Sequence, residues 1–225
     1  MANDTGVASM MPVTRFAPLG MIYMASDWIS YFGYGSLVNR DTRPPHEEAE
    51  VARLRGWQRV WEHRTVGSSA HAGCTSLSIR PDTDSADASI EGVIVKLPRA
   101  QLAQLDEREA GYERLELPAA HFDLADHHQV DSVMVYRSLP ENRRAADPEH
   151  PVLQSYIDCV LAGYHKRFAE RGLSAFIAST VGWEGAIFND RRAPRYPRSV
   201  SVAQDRQARY DAMIQQHLAS LPRSS

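Results

Sequence analysis

Ile29-Ser30-Tyr31-Phe32 reads as a short buried strand that runs without a spacer into Gly33-Tyr34-Gly35-Ser36. Aromatic and branched residues favour the pleated conformation, and two glycines one residue apart demand an unusual backbone path. A strand broken in this way exposes consecutive backbone N–H groups, which can cradle a carboxylate or a developing oxyanion. The same stretch also suits a plain tight turn between a strand and a helix, and a short glycine motif alone divides evenly between the two. A nucleophile elbow is excluded, because G-x-S-x-G needs glycine at position 38 and the chain has Val38.

The segments that follow are short and strand-like. Val and Trp cluster through Gly56–Arg64, and Cys74 to Arg80 alternates before Pro81-Asp82-Thr83-Asp84 ends it. Ser89 to Leu97, with Ile90, Val93, Ile94 and Val95, is the strongest strand signal in the chain. Pro98 then sits where a first helical turn tolerates proline, Leu102 and Leu105 follow at helical spacing, and Gly111 stops the helix. Glu113 to Phe122 and Ser132 to Arg137 read as two further strands. Short strands with one late helix bury themselves without open edges as a small barrel or a strongly curved sheet.

Beyond Leu139 the pattern changes. After a polar loop to Pro151, the apolar residues Val152, Leu153, Tyr156, Ile157, Val160, Leu161, Tyr164 and Phe168 recur at steps of three and four. That spacing predicts an amphipathic helix ending at Gly172, whose stripe is core rather than a cofactor box. A short helix over Ser174–Ser179, a Pro- and Arg-rich loop over Arg191–Arg198 and a last helix over about Ala203–Leu218 complete the chain. The expected organisation is an irregular arm over 1–27, a strand-rich unit over 28–138, and a helical extension over 139–225 packed on it. With 225 residues and 43% hydrophobic content, the chain can bury one good-sized core.

The 25 Lys and Arg against 28 Asp and Glu leave a formal charge of −3, with no basic stripe. Nucleic acid and anionic membrane are therefore not expected partners. Cys74 and Cys159 form no CxxC pair and fit a reducing compartment. Pro12, Arg15 and Pro18 interrupt the apolar N-terminal residues, so neither a signal peptide nor a membrane span is expected.

Few side chains point to chemistry. Glu109 lies at a helix C-terminal end, where the helix dipole disfavours a carboxylate, although acids near helix ends are usually solvated. His46-Glu47-Glu48-Ala49-Glu50 lacks the second histidine of a zinc-protease helix, and His127-His128 has no further ligands at metal spacing. No metal or cofactor is expected. Arg191, Arg192, Arg195 and Arg198 could meet a substrate carboxylate, though solvated loop arginines are commoner.

Taken together the motifs are more specific. Phe32-Gly33-Tyr34-Gly35-Ser36-Leu37 resembles the F-G-Y-G-S-L signature of the gamma-glutamylcyclotransferase-like family, above all its glutathione-degrading branch. Gly56-Trp57-Gln58-Arg59-Val60-Trp61 is similar to that branch's G-aromatic-x-R-x-aromatic strand, and Glu91-Gly92-Val93-Ile94-Val95 to the strand before its helix. Leu105 to Tyr112 resembles the L-D-x-x-E segment carrying the family's catalytic glutamate, here Glu109. The resemblance implies an α+β fold with a small mixed β-barrel of about five to seven strands flanked by helices. It implies Glu109 as general base, the Tyr34-Gly35-Ser36-Leu37 loop as binder of a gamma-glutamyl head group, and Tyr112 and Tyr136 as lining residues. The expected product is 5-oxoproline, made in the cytoplasm by a monomer or homodimer without a cofactor. Glutathione, other gamma-glutamyl amino acids and gamma-glutamyl amines stay open as substrates. The alternative is a non-catalytic barrel that binds a small anionic ligand or a partner protein; an acid at position 109 would gain such a binder nothing.

Overall fold

The computed structural model describes residues 27–44, 47–67, 72–85, 87–125 and 130–221. The expected arm over 1–27, except Asp27, lies outside the described residues, as do His46 and His127-His128.

In chain order the first strands are β1 (Trp28–Gly33), β2 (Ala49–Arg55), β3 (Trp57–Arg64), β4 (Thr75–Pro81) and β5 (Ser89–Pro98). Helix α1 (Leu102–Arg108) precedes β6 (Tyr112–Pro118), β7 (Phe122–Asp123), β8 (Ser132–Ser138) and β9 (Val152–Leu153). Helix α2 (Gln154–Ala178), β10 (Thr180–Val181), β11 (Ile187–Phe188) and α3 (Gln204–Ser220) complete the fold. Six strands form one sheet in the order β6-β8-β1-β5-β2-β7, and five form a second in the order β10-β3-β4-β9-β11. The sheets approach each other where β4 packs on β8 and β3 on β5. The result is the expected α+β class, a curled half-barrel with flanking helices, built from more strands than the sequence suggests.

The extra strands have identifiable causes. Residues 49–55 look mixed because Val51 is 50% exposed while Ala52 and Leu54 carry the buried alternation. This hides β2, which pairs antiparallel with β5 from Ala49↔Val95 to Arg55↔Ser89. Strands β9, β10 and β11 are two residues each, too short to leave a period in the sequence. All three join the second sheet through parallel pairings, so residues beyond 139 build part of that sheet.

Helix α2 corrects a second expectation. Gly172 does not end it; the break falls at Ala169, with φ 55° and ψ −158°, and the chain resumes as helix through Ala178. A left-handed alanine costs about 1–3 kcal/mol and persists only where packing dictates it. Around that break Tyr164, Leu173, Phe176 and Ile177 are all nearly fully buried. Each such side chain contributes about 1.5–3 kcal/mol through removal from water. The separate helix expected over Ser174–Ser179 is the second half of α2.

Helix α2 also lies directly against the turn after β1. The amide of Asn39 donates through Nδ2 to the Cys159 carbonyl at 2.9 Å. A Cβ on Gly163 would stand 2.6 Å from Asn39 N and 2.7 Å from its Cα, both backbone atoms with little room to yield. Gly163→Ala is accordingly expected to cost about 3 kcal/mol, the upper end for overpacking. Chemical denaturation should show it as a lower midpoint with an unchanged slope.

Candidate active site

β1 ends at Gly33, and the chain turns at once into a 3-10 turn over Ser36–Val38 and another over Arg40–Thr42. The Val38 N–H donates to Gly35 O at 3.1 Å, and the Asn39 N–H to Ser36 O at 2.9 Å. The amides of Ser36 and Leu37 open the first turn, where N–H groups have no partner within the turn. From behind, Arg59 Nε donates to the Tyr34 carbonyl at 3.1 Å and Tyr164 OH donates to it at 3.0 Å. Tyr34 is held at its other end by its hydroxyl, which donates to Tyr136 O at 2.7 Å. The loop is thus fixed from both sides.

Glu109 caps α1 just beyond its last helical residue, with its N–H donating to Leu105 O at 3.0 Å. Two residues on, Gly111 takes φ +90°, in the left-handed region that disfavours side chains. A Cβ there would also meet Val66 Cγ2 at 2.8 Å and His63 Cε1 at 3.1 Å. Gly111 therefore lets the acid-bearing turn lie close against β3. The Glu109 side chain is 20% exposed and accepts from Arg108 Nε at 3.1 Å.

Loop and acid face one cavity of about 440 Å³. Every site residue expected from the sequence lines it: Tyr34, Gly35, Ser36, Leu37, Glu109, Tyr112 and Tyr136. Glu107 reaches the rim too, although helical spacing predicts a different face from Glu109. The reason is that α1 stops at Arg108, so helical geometry no longer separates the two acids. Glu107 is exposed, whereas Glu109 is half-buried.

The two lining tyrosines have their protons committed. Tyr112 OH donates to Leu77 O at 2.7 Å and meets Ser76 Oγ at 3.1 Å, and Tyr136 OH donates to Asp106 Oδ1 at 2.7 Å. They can still accept hydrogen bonds and present ring faces. His63, Tyr156 and Tyr196 complete the walls and escape sequence reasoning. His63 stacks on Tyr112 at 3.7 Å, and Tyr156 packs on Tyr196 at 4.8 Å. Tyr156 belongs to a helical stripe that resembles core, and nothing local to Tyr196 marks it.

Burial pushes the hydroxyls of Tyr34, Tyr112 and Tyr156 well above the ordinary tyrosine value, and that of Tyr31 up to about 12. Tyr164, behind the loop, is likewise pushed by burial to about 12. None can act as a base near neutrality. In the unfolded chain these groups titrate near 10, so the stabilisation is complete below about pH 10 and is lost as pH rises toward about 12. A displacement from 10.0 to about 12 is worth roughly 3 kcal/mol for a single buried tyrosine such as Tyr31. Thermal melts should show a steep fall in midpoint between about pH 10 and pH 12, tracking phenolate absorbance.

Among the described residues no group of three or more His, Cys, Asp or Glu is placed to hold a metal ion. Nor is any helix among them long and apolar enough to cross a membrane.

A family model described as "ChaC-like protein" matches residues 27–155. Among solved structures, the chain resembles a gamma-glutamyl cyclotransferase with a TM-score of 0.53 at 17% identity, covering 84% of this chain and 99% of that one. It also resembles the human uncharacterized protein loc79017, with a TM-score of 0.51 at 15% identity and the same coverage. At these identities the likeness is one of fold. No curated protein matches the chain in sequence.

Proposed function

Because the chain belongs to the ChaC-like protein family, we propose that it is a gamma-glutamylcyclotransferase that closes a gamma-glutamyl group into 5-oxoproline, with Glu109 as general base. One observation carries this reading: Glu109, among the described residues the sole half-buried carboxylate of the cavity wall, shares that cavity with the glycine-broken end of β1. The similar solved structure that is described as a gamma-glutamyl cyclotransferase accords with it.

The chemistry needs no nucleophile from the protein. The substrate's α-ammonium loses a proton to the Glu109 carboxylate, and the freed amine attacks its own gamma-carbonyl carbon. A new N–C bond forms while the carbonyl oxygen takes negative charge, facing the amides of the Tyr34–Leu37 loop. The attacking nitrogen, now carrying two hydrogens and a positive charge, releases one proton to solvent. The oxyanion then re-forms the carbonyl as the C–N bond to the leaving amine breaks, and protonated Glu109 returns its proton to that nitrogen. The cavity's main contribution is to hold a bent conformer, with the amine and carbonyl already in contact. A positioned base adds about 10²–10⁴-fold, and a single oxyanion donor about 3 kcal/mol. Arg59 and Tyr164 turn the Tyr34 carbonyl away from the cavity and so set the direction of the loop amides.

The test is incubation with glutathione, gamma-glutamyl dipeptides and gamma-glutamyl amines, with 5-oxoproline as the readout. Release from at least one is expected. Silence across the panel from folded protein would remove the reaction and favour a non-catalytic binding role.

A further inference from the structure

Resting on that reading of the cavity, we propose that Arg198 binds a carboxylate of the gamma-glutamyl substrate at the cavity rim. Arg198 lies outside residues 27–155, the region that the family model matches. Of the four arginines between 191 and 198, it alone lines the cavity. Arg191 is committed elsewhere, bonded through two nitrogens to Asp158 and through two to Asp211 at 2.7–2.8 Å. Arg195 sits over the Phe188 ring at 5.9 Å.

The Arg198 guanidinium is held along one edge. Its Nε donates to Tyr196 OH at 3.1 Å, and its central carbon lies 5.5 Å from the Tyr196 ring centroid. Tyr196 is buried and packs on Tyr156, so the platform under the cation is fixed. Nη1 and Nη2 form no hydrogen bond or ion pair among the described residues. The cavity's other guanidinium, on Arg108, is paired with Glu109. Burial acts to lower the Arg198 pKa, but the Tyr196 hydroxyl and the Glu109 charge outweigh it, so the group stays cationic. A planar fork with two free nitrogens on one edge matches a carboxylate in a two-point contact.

Gamma-glutamyl amino acids offer two such groups: the α-carboxylate of the glutamyl head and the carboxylate of the leaving amino acid. Gamma-glutamyl amines carry only the first. Full-length wild type and Arg198→Ala would be compared on gamma-glutamylalanine and gamma-glutamylmethylamide by 5-oxoproline release, with dissociation constants from calorimetry. The KM for gamma-glutamylalanine is expected to rise about 10- to 100-fold, the range for a lost charged hydrogen bond. A rise on both compounds assigns the contact to the head group, and a rise on the dipeptide alone assigns it to the leaving amino acid. Arg198→Lys should recover part of the loss, and added ethylguanidinium should rescue Arg198→Ala, which a merely structural role would not allow. Unchanged KM and affinity for both compounds in a folded Arg198→Ala protein would overturn the proposal. Wild type silent on the whole panel, glutathione included, that nonetheless loses dipeptide affinity on Arg198→Ala would sink the reaction and leave the contact standing.

Discussion

Glu109→Gln is expected to reduce 5-oxoproline formation by about 10²–10⁴-fold, the contribution of a positioned general base. Glutamine keeps the size and hydrogen-bonding reach of the side chain but cannot take the α-ammonium proton. The fold should not notice. The Glu109 backbone bonds to Leu105 and Tyr112 are independent of the side chain, and its pairing with Arg108 is of the partly exposed kind worth at most about 1 kcal/mol. Melting temperature and substrate affinity should therefore stay near wild type while kcat collapses. Glu107→Gln provides the control, because the two acids share the rim but only Glu109 is half-buried. A collapse from Glu107→Gln with Glu109→Gln active would move the role to the other acid.

Arg59→Leu should have the largest effect on stability. Arg59 is fully buried in β3, and its guanidinium donates to Tyr34 O, to Ser179 Oγ at 2.8 Å, to Tyr164 OH at 2.8 Å and to Glu91 O. It also lies 5.0 Å from the Tyr164 ring centroid and 4.7 Å from that of Phe176. Burial lowers its pKa, and Tyr164 acts in the opposite direction. Leucine would fill part of the volume but leave the Tyr34 and Glu91 carbonyls short of a donor, at about 1–3 kcal/mol for each buried group left unpaired. Tyr164 OH can still serve one of them, so a net loss of about 3–5 kcal/mol is expected, read by chemical denaturation. Whatever protein remains folded should also turn over more slowly, since the Tyr34 carbonyl is then free to rotate. A variant as stable and as active as wild type would show that the loop holds its shape without the cation.

How much of this could be read from residues alone depends on the range of the signal. Strands β1, β3, β4, β5 and β8 were legible because branched and aromatic residues cluster locally and turn residues bound them. The glycine-broken loop was legible as a contiguous motif, and the place of Glu109 on the cavity wall only through the resemblance of Leu105 to Tyr112 to a family segment. β2 was not, because its buried positions are filled by Ala52 and Leu54 while Val51 faces out. The break in α2 was not, because alanine carries no hint of a left-handed backbone and Gly172 offered a false one. His63 and Tyr196 reach the cavity only through long-range packing, which leaves no period or motif; Tyr156 was visible only as part of a core stripe, and Arg198 only as one of four loop arginines that the sequence could not tell apart.

The second sheet has a consequence for how the molecule comes into being. β9, β10 and β11 enter it by parallel pairing with strands made far earlier, and Leu153, Tyr156, Tyr196 and Arg198 supply one side of the cavity. Loop closure over such separations is slow, so these walls assemble after the local hairpins. During synthesis the nascent chain would carry its glycine loop and its acid as an open trough, able to meet a gamma-glutamyl compound but not to enclose it. Competence would arrive late, once the segment through Arg198 has emerged from the ribosome.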